Sequence, residues 1–156
     1  MEIRRAQNCD MADIMRLLYQ VEMVHHNGRP DIFHNGGSKY TDEELREIIA
    51  DDMRPIFVYI GDDGKLKGYA FCIFKQLLND NIFTDIKTLY IDDICVDETC
   101  RGQKVGTALF EYVKKFAEDE DCYNVTLNVW SFNESAKKFY EKCGLVPQKV
   151  GMEIIL

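Results

Sequence analysis

The sequence predicts an α/β fold, and three observations carry that reading. Short apolar strands and amphipathic helical patterns alternate from end to end, and no internal repeat or low-complexity stretch divides the chain. The 156 residues suit one core, since a chain of about 150 residues can bury about 68–70% of its unfolded surface. Residues 1–156 are therefore expected to form a single domain.

The elements follow in order. Residues 2–6 predict an edge strand, and Asp10 offers an N-cap to a helix whose apolar positions Met11, Ile14, Leu17, Leu18 and Val21 recur at helical spacing and which ends near His25. Residues 27–40 collect Gly, Pro and Asn and predict a long loop whose aromatics would line a substrate entrance. Thr41 and Glu44 form a capping box for a second helix through Leu45, Ile48 and Ile49, which stops before Pro55. Residues 56–61 and 66–75 read as two strands joined by the turn Asp62-Asp63-Gly64-Lys65, whose glycine supplies the positive φ such a turn requires. A strand over 88–96 follows, then a helix over 105–118, a strand over 123–130, and a helix opened by Asn133 and closed by Gly144. Residues 145–156 read mostly as strand.

Composition narrows the function. With 46% hydrophobic and 29% charged residues and only 3 prolines, disordered and fibrous classes are excluded. A net charge of −8 has the wrong sign for gripping nucleic-acid phosphates and favours a cationic partner. No apolar run approaches the roughly 18 residues of a membrane span, and the first residues lack a signal-peptide core, so a cytoplasmic protein without membrane contact is expected. Cys9, Cys72, Cys95, Cys100, Cys122 and Cys143 form no CxxC pair, as expected of reduced thiols rather than a disulfide or zinc framework. His25, His26 and His34 lack a helical metal-ligand spacing, so no metal is expected, and substrate contact or plain exposure is the reading for them.

Two constellations can carry chemistry. In the first, Arg101-Gly102-Gln103-Lys104-Val105-Gly106 stands between a strand and a helix, where free N–H groups and the helix dipole make a seat for an anion such as pyrophosphate. A plain turn into a surface helix explains Gly102 and Gly106 equally well. In the second, Asn133 caps a helix on which Ala136 and Tyr140 lie one turn apart, ended by Gly144. Packing alone would account for Phe139 in the core and Tyr140 as a half-buried aromatic.

Taken together over residues 89–145, the two constellations resemble the GNAT superfamily of acyl-CoA-dependent N-acyltransferases, whose motifs read Q/R-x-x-G-x-G/A and N-x-x-A-x-x-x-Y-x-x-x-G-F/L. Arg101 and Gly106 match the first, while Lys104 replaces its middle glycine; Asn133, Ala136, Tyr140, Gly144 and Leu145 match the second throughout. Lys104 is expected to need no positive φ if the turn continues into the helix, and it adds a cation near phosphates. The resemblance implies a twisted mixed sheet of six or seven strands with helices on both faces, splayed between the fourth and fifth strands. It implies acetyl-CoA as co-substrate, with the backbone of Ile94, Cys95 and Val96 pairing with the pantetheine arm. Arg101, Gly102 and residues Gln103, Lys104, Val105, Gly106 and Thr107 would hold the pyrophosphate beside Asn133 and Tyr140.

The implied reaction is acetyl transfer to a primary amine of a small molecule or peptide by a monomer or homodimer. A primary amine with a pKa near 10.4 must lose a proton before it attacks. Asp92 and Asp93 are adjacent, so in a regular strand one would face the cleft and the other a helix layer. Asp92 stands where related enzymes often place Glu, as base or amine anchor; a salt-bridged carboxylate with a solvated neighbour is the competing reading. Tyr140 suits the acid that protonates the leaving thiolate. Cys95 and Cys100 are read as core, and Trp130 as core or cleft wall. A CoA-binding sensor without turnover is the alternative function. A dinucleotide-binding module is set aside because the early G-x-G-x-x-G is missing.

Overall fold

A computed structural model describes residues 1–156. Five strands, β1 (Glu2–Arg5), β2 (Ile56–Ile60), β3 (Leu66–Gln76), β4 (Lys87–Val96) and β5 (Asn124–Leu127), form one sheet in that order. The first three pairings are antiparallel, and β4 pairs with β5 in parallel. That parallel step requires a crossover, which α3 (Val105–Asp119) supplies. The other helices are α1 (Met11–Gly28), α2 (Asp42–Ala50) and α4 (Glu134–Lys142).

The period-two pattern of the central strands explains the layers. Val58, Tyr69 and Phe71 pack with Ile14, Leu17 and Leu18 of α1 and with Leu45 and Ile48 of α2. Their neighbours Phe57, Ala70 and Cys72 pack with Phe110, Val113 and Ala117 of α3. Both faces are covered, which is why these strands read as continuous apolar runs. The capping box at Thr41 and Glu44 forms, and Gly64 turns the hairpin at φ 73°.

Three expectations are corrected. Asp10 does not cap α1: its carboxylate accepts from Arg4 at 2.7 Å and from the Gln7 N–H at 2.8 Å, because a nearly buried carboxylate gains more from a guanidinium than from a helix end. The first helix runs on to Gly28, whose missing side chain makes room for the Phe132 ring. The sheet has five strands rather than six or seven, because residues 145–156 form no strand. Pro147 lacks a donor, Gly151 is a weak strand former, and Val146, Val150, Met152, Ile154, Ile155 and Leu156 are all exposed, so the segment buries no apolar face and leaves the outer edge of β5 unpaired.

Candidate active site

The site begins with an irregularity in β4. Phe71 of β3 pairs with Asp93, yet the next residue, Cys72, pairs with Ile91, so Asp92 is an extra residue bulged out of the ladder. The parallel pairing with β5 covers only Thr88–Ile91 and stops at that bulge. From Asp92 to Val96, β4 is bonded to β3 alone.

The bulge also corrects the expectation that the two carboxylates face opposite ways. Asp92 accepts from the Lys39 ammonium at 2.7 Å and from the Tyr40 hydroxyl at 3.2 Å. The Tyr40 ring stacks on Phe71, which meets Tyr69 edge-on, and the Tyr69 hydroxyl donates to Asp93 at 2.6 Å. Both aspartates thus contact one aromatic group on the α1 and α2 face of the sheet, because a bulge breaks the alternation that a regular strand imposes. Burial pushes the Asp93 carboxyl above its ordinary range, and the Tyr69 hydrogen bond pulls it part of the way back. Burial lowers the Lys39 ammonium, but its bond to Asp92 more than reverses this and leaves it raised. Asp92 is thus salt-bridged to Lys39, but Asp93 is buried against Tyr69 and is not the solvated neighbour that the competing reading expects.

At the entrance to α3, the backbone N–H groups of Val105, Gly106 and Thr107 have no acceptor within the chain. Gly102 has φ 79° and Lys104 has φ 63°. Lys104 therefore does occupy the left-handed region, contrary to expectation: the chain must reverse direction between the short 3₁₀ turn Glu98–Cys100 and α3, and a positive φ there accomplishes it. Arg101, Gln103, Lys104 and Thr107 are exposed, and Val105 is buried with Cys100 and Leu109. Gly106 serves packing as well as access, since a Cβ there would lie 3.3 Å from Phe139 and 3.4 Å from Val96.

The second motif folds as expected. The Asn133 side chain accepts from the Ala136 N–H at 3.1 Å, and Gly144 ends α4 at φ 93° while Leu145 donates back to the Tyr140 carbonyl. The Tyr140 hydroxyl has no hydrogen-bond partner within the chain. Burial and then the nearby charge of Asp93 push its phenol well above the ordinary tyrosine value, so it carries its proton at neutral pH. Cys95 turns its thiol to the Leu17 carbonyl, and burial pushes that thiol up to about 12, as suits a core residue and not a nucleophile.

The long loop packs its aromatics against α1 and the segment after β5. Phe33 stacks on His25 and meets Trp130 edge-on, and Trp130 stacks on Phe132. Trp130 is partly exposed among these rings and does not belong to the core. No group of three or more His, Cys, Asp or Glu side chains is placed to hold a metal ion. Lys39 and Tyr69 carry no signal in the sequence, and Tyr40 is marked there only as one of the loop's aromatics. They lie 24 to 53 positions from the aspartates they meet, and no local spacing signals such contacts.

Residues 21–145 match the sequence model of the acetyltransferase (GNAT) family. The chain belongs to that family. Glucosamine 6-phosphate N-acetyltransferase 1 of Dictyostelium discoideum is 34% identical over 122 residues, 76% of each chain. Among solved structures, a mutant of the BH1408 protein from Bacillus halodurans superposes with a TM-score of 0.96 at 30% identity, covering 100% of this chain and 99% of that one. Glucosamine-6-phosphate N-acetyltransferase from Arabidopsis thaliana shares the fold, with a TM-score of 0.73 at 24% identity, covering 99% of this chain and 97% of its own. This GNAT chain is an N-acetyltransferase that uses acetyl-CoA as co-substrate. The N–H donors expected to hold the CoA phosphates lie at the α3 entrance, and the carboxylates expected to take a proton lie at the β4 bulge.

Proposed function

We propose that the chain, acting as one domain over residues 1–156, acetylates a primary amine held against Asp92. The observation that carries this is the ion pair between Asp92 and the Lys39 ammonium, because it demonstrates an alkylammonium fitting that carboxylate at 2.7 Å. Asp92 anchors the amine and takes its proton, directly or through water. Tyr140 keeps its proton and delivers it to the CoA thiolate.

Acetyl-CoA fits the open features of the chain. Pyrophosphate would lie on the free N–H groups of residues 105–107, with Arg101, Gly102, Gln103 and Lys104 around it and the Asn133 helix alongside. The edge of β4 at Ile94, Cys95 and Val96, unpaired on the β5 side, suits a pantetheine arm added as a further strand, as a splay between the fourth and fifth strands would allow. The thioester would then reach Asp92 and Asp93.

The paired carboxylates and the net charge of −8 favour a cationic small molecule or peptide. Glucosamine 6-phosphate, the substrate in the names of the curated relatives, is the second acceptor to test. The free cysteines favour a reducing, cytoplasmic setting, and no helix is long and apolar enough to cross a membrane.

Calorimetry with CoA, followed by thiol release against polyamines, aminoglycosides, lysine peptides and glucosamine 6-phosphate, tests the reading. CoA at one hundred times its Kd should stabilise the fold by roughly 2.7 kcal/mol. Absence of binding at millimolar CoA would overturn it, and binding without thiol release from any amine would favour a sensor.

A further inference from the structure

The geometry points to Lys39 as an internal acetyl acceptor: without an external amine, the enzyme acetylates its own Lys39. This rests on the reading of Asp92 as the amine's anchor and base. Lys39 lies in the long loop between α1 and α2, and its Nζ is 2.7 Å from Asp92, the residue bulged out of β4 where pairing with β5 ends. The adjoining Tyr40 holds the loop down, its ring stacked on Phe71 and its hydroxyl 3.2 Å from the same carboxylate oxygen. The lysine is thus delivered to the cleft rather than left to wander. Asp92 lies two residues from Ile94 along β4, about 6–7 Å from the proposed pantetheine edge, so amine and thioester share one locality.

The chemistry is the family's own with a different acceptor. The Lys39 ammonium gives a proton to Asp92, the amine nitrogen bonds to the thioester carbonyl carbon, and the carbon–sulfur bond breaks. The thiolate takes a proton from Tyr140, which regains one from the newly acylated nitrogen, and Asp92 releases its proton to solvent. The products are acetyl-lysine, free CoA and one net proton. Acetylation removes the cation that neutralises Asp92, so the modified loop loses its ion pair and frees the carboxylate for another amine.

Incubating the purified chain with acetyl-CoA and mapping acetylated peptides by mass spectrometry tests this. Surface chemistry alone would label the most open lysines first, and Lys138 is far more exposed than Lys39, at 72% against 31% of the side chain. Lys39 is expected to label at least tenfold faster than Lys138, at a rate independent of protein concentration. Asp92→Asn should slow it at least tenfold while Lys138 labelling is unchanged. Lys138 labelling as fast as Lys39, a rate that climbs with protein concentration, or indifference to Asp92→Asn would each overturn the inference. CoA binding and thiol release with external amines, measured on the same preparation, separate the failures. If both occur while Lys39 stays unmodified, only self-acetylation falls; if neither occurs, the reading of the site falls with it.

Discussion

The Tyr69 hydroxyl donates to the Asp93 carboxylate at 2.6 Å from a fully buried ring on the neighbouring strand. The pair joins the packing of the sheet to the electrostatics of the cleft, because the charge on Asp93 also acts on Tyr140.

Tyr69→Phe should make stability more sensitive to pH. The Asp93 carboxyl is raised in the folded chain, so its contribution is present below the unfolded pKa and is lost as pH rises through the folded one. The hydrogen bond from Tyr69 limits that loss by favouring the ionised form. Its removal should cost about 1–3 kcal/mol at about pH 8 and much less at about pH 4. Urea denaturation at the two pH values checks this, and an equal cost at both would show that Asp93 stays neutral throughout.

Asp97 should carry part of the acid sensitivity. Burial raises its carboxyl, but hydrogen bonds from Arg16 and from Thr99 outweigh this and hold it at about 2. A depressed carboxylate contributes stability above the unfolded value and loses it as pH falls, here between about 4 and about 2. Asp97→Asn should cost on the order of 1–2 kcal/mol at neutral pH, discounted because Arg16 is half exposed, and should flatten the acid limb. Thermal melts across that range measure both effects.

Lys104→Gly should stabilise the fold by about 1 kcal/mol, since Lys104 sits at φ 63° where a side chain is disfavoured by roughly 1–2 kcal/mol and a glycine is not. The gain should appear in the denaturant midpoint without CoA. CoA affinity should fall modestly with the lost cation, and calorimetry reads that separately. An unchanged midpoint would mean that Lys104 makes compensating contacts.

Tyr140→Phe should leave folding intact, because its hydroxyl bonds to nothing in the chain, and should lower turnover. General acid catalysis is worth about 10²–10⁴-fold, and the loss should approach that range if thiolate protonation limits the rate. Steady-state kinetics on the best amine, corrected for folded fraction, checks it. Unchanged turnover would leave Tyr140 as a wall of the cleft.

The local features were legible in the sequence because short-range physics sets them. The Thr41–Glu44 box, the Gly64 turn, the Asn133 cap and the Gly144 stop each depend on residues within a few positions. The period-two and helical patterns likewise located the strands, the helices and the α3 entrance. What the sequence could not disclose depends on which strands meet and in what register. The bulge at Asp92 exists only as a mismatch between β4 and β3, and it turned two aspartates expected on opposite faces toward one aromatic group. Lys39, Tyr40 and Tyr69 became site residues only because the loop and β3 fold over that bulge. The tail shows the same limit: its residues have strand propensity, yet Val146, Val150, Met152, Ile154, Ile155 and Leu156 stay exposed, and a strand that buries no apolar face gains little from pairing with the open edge of β5.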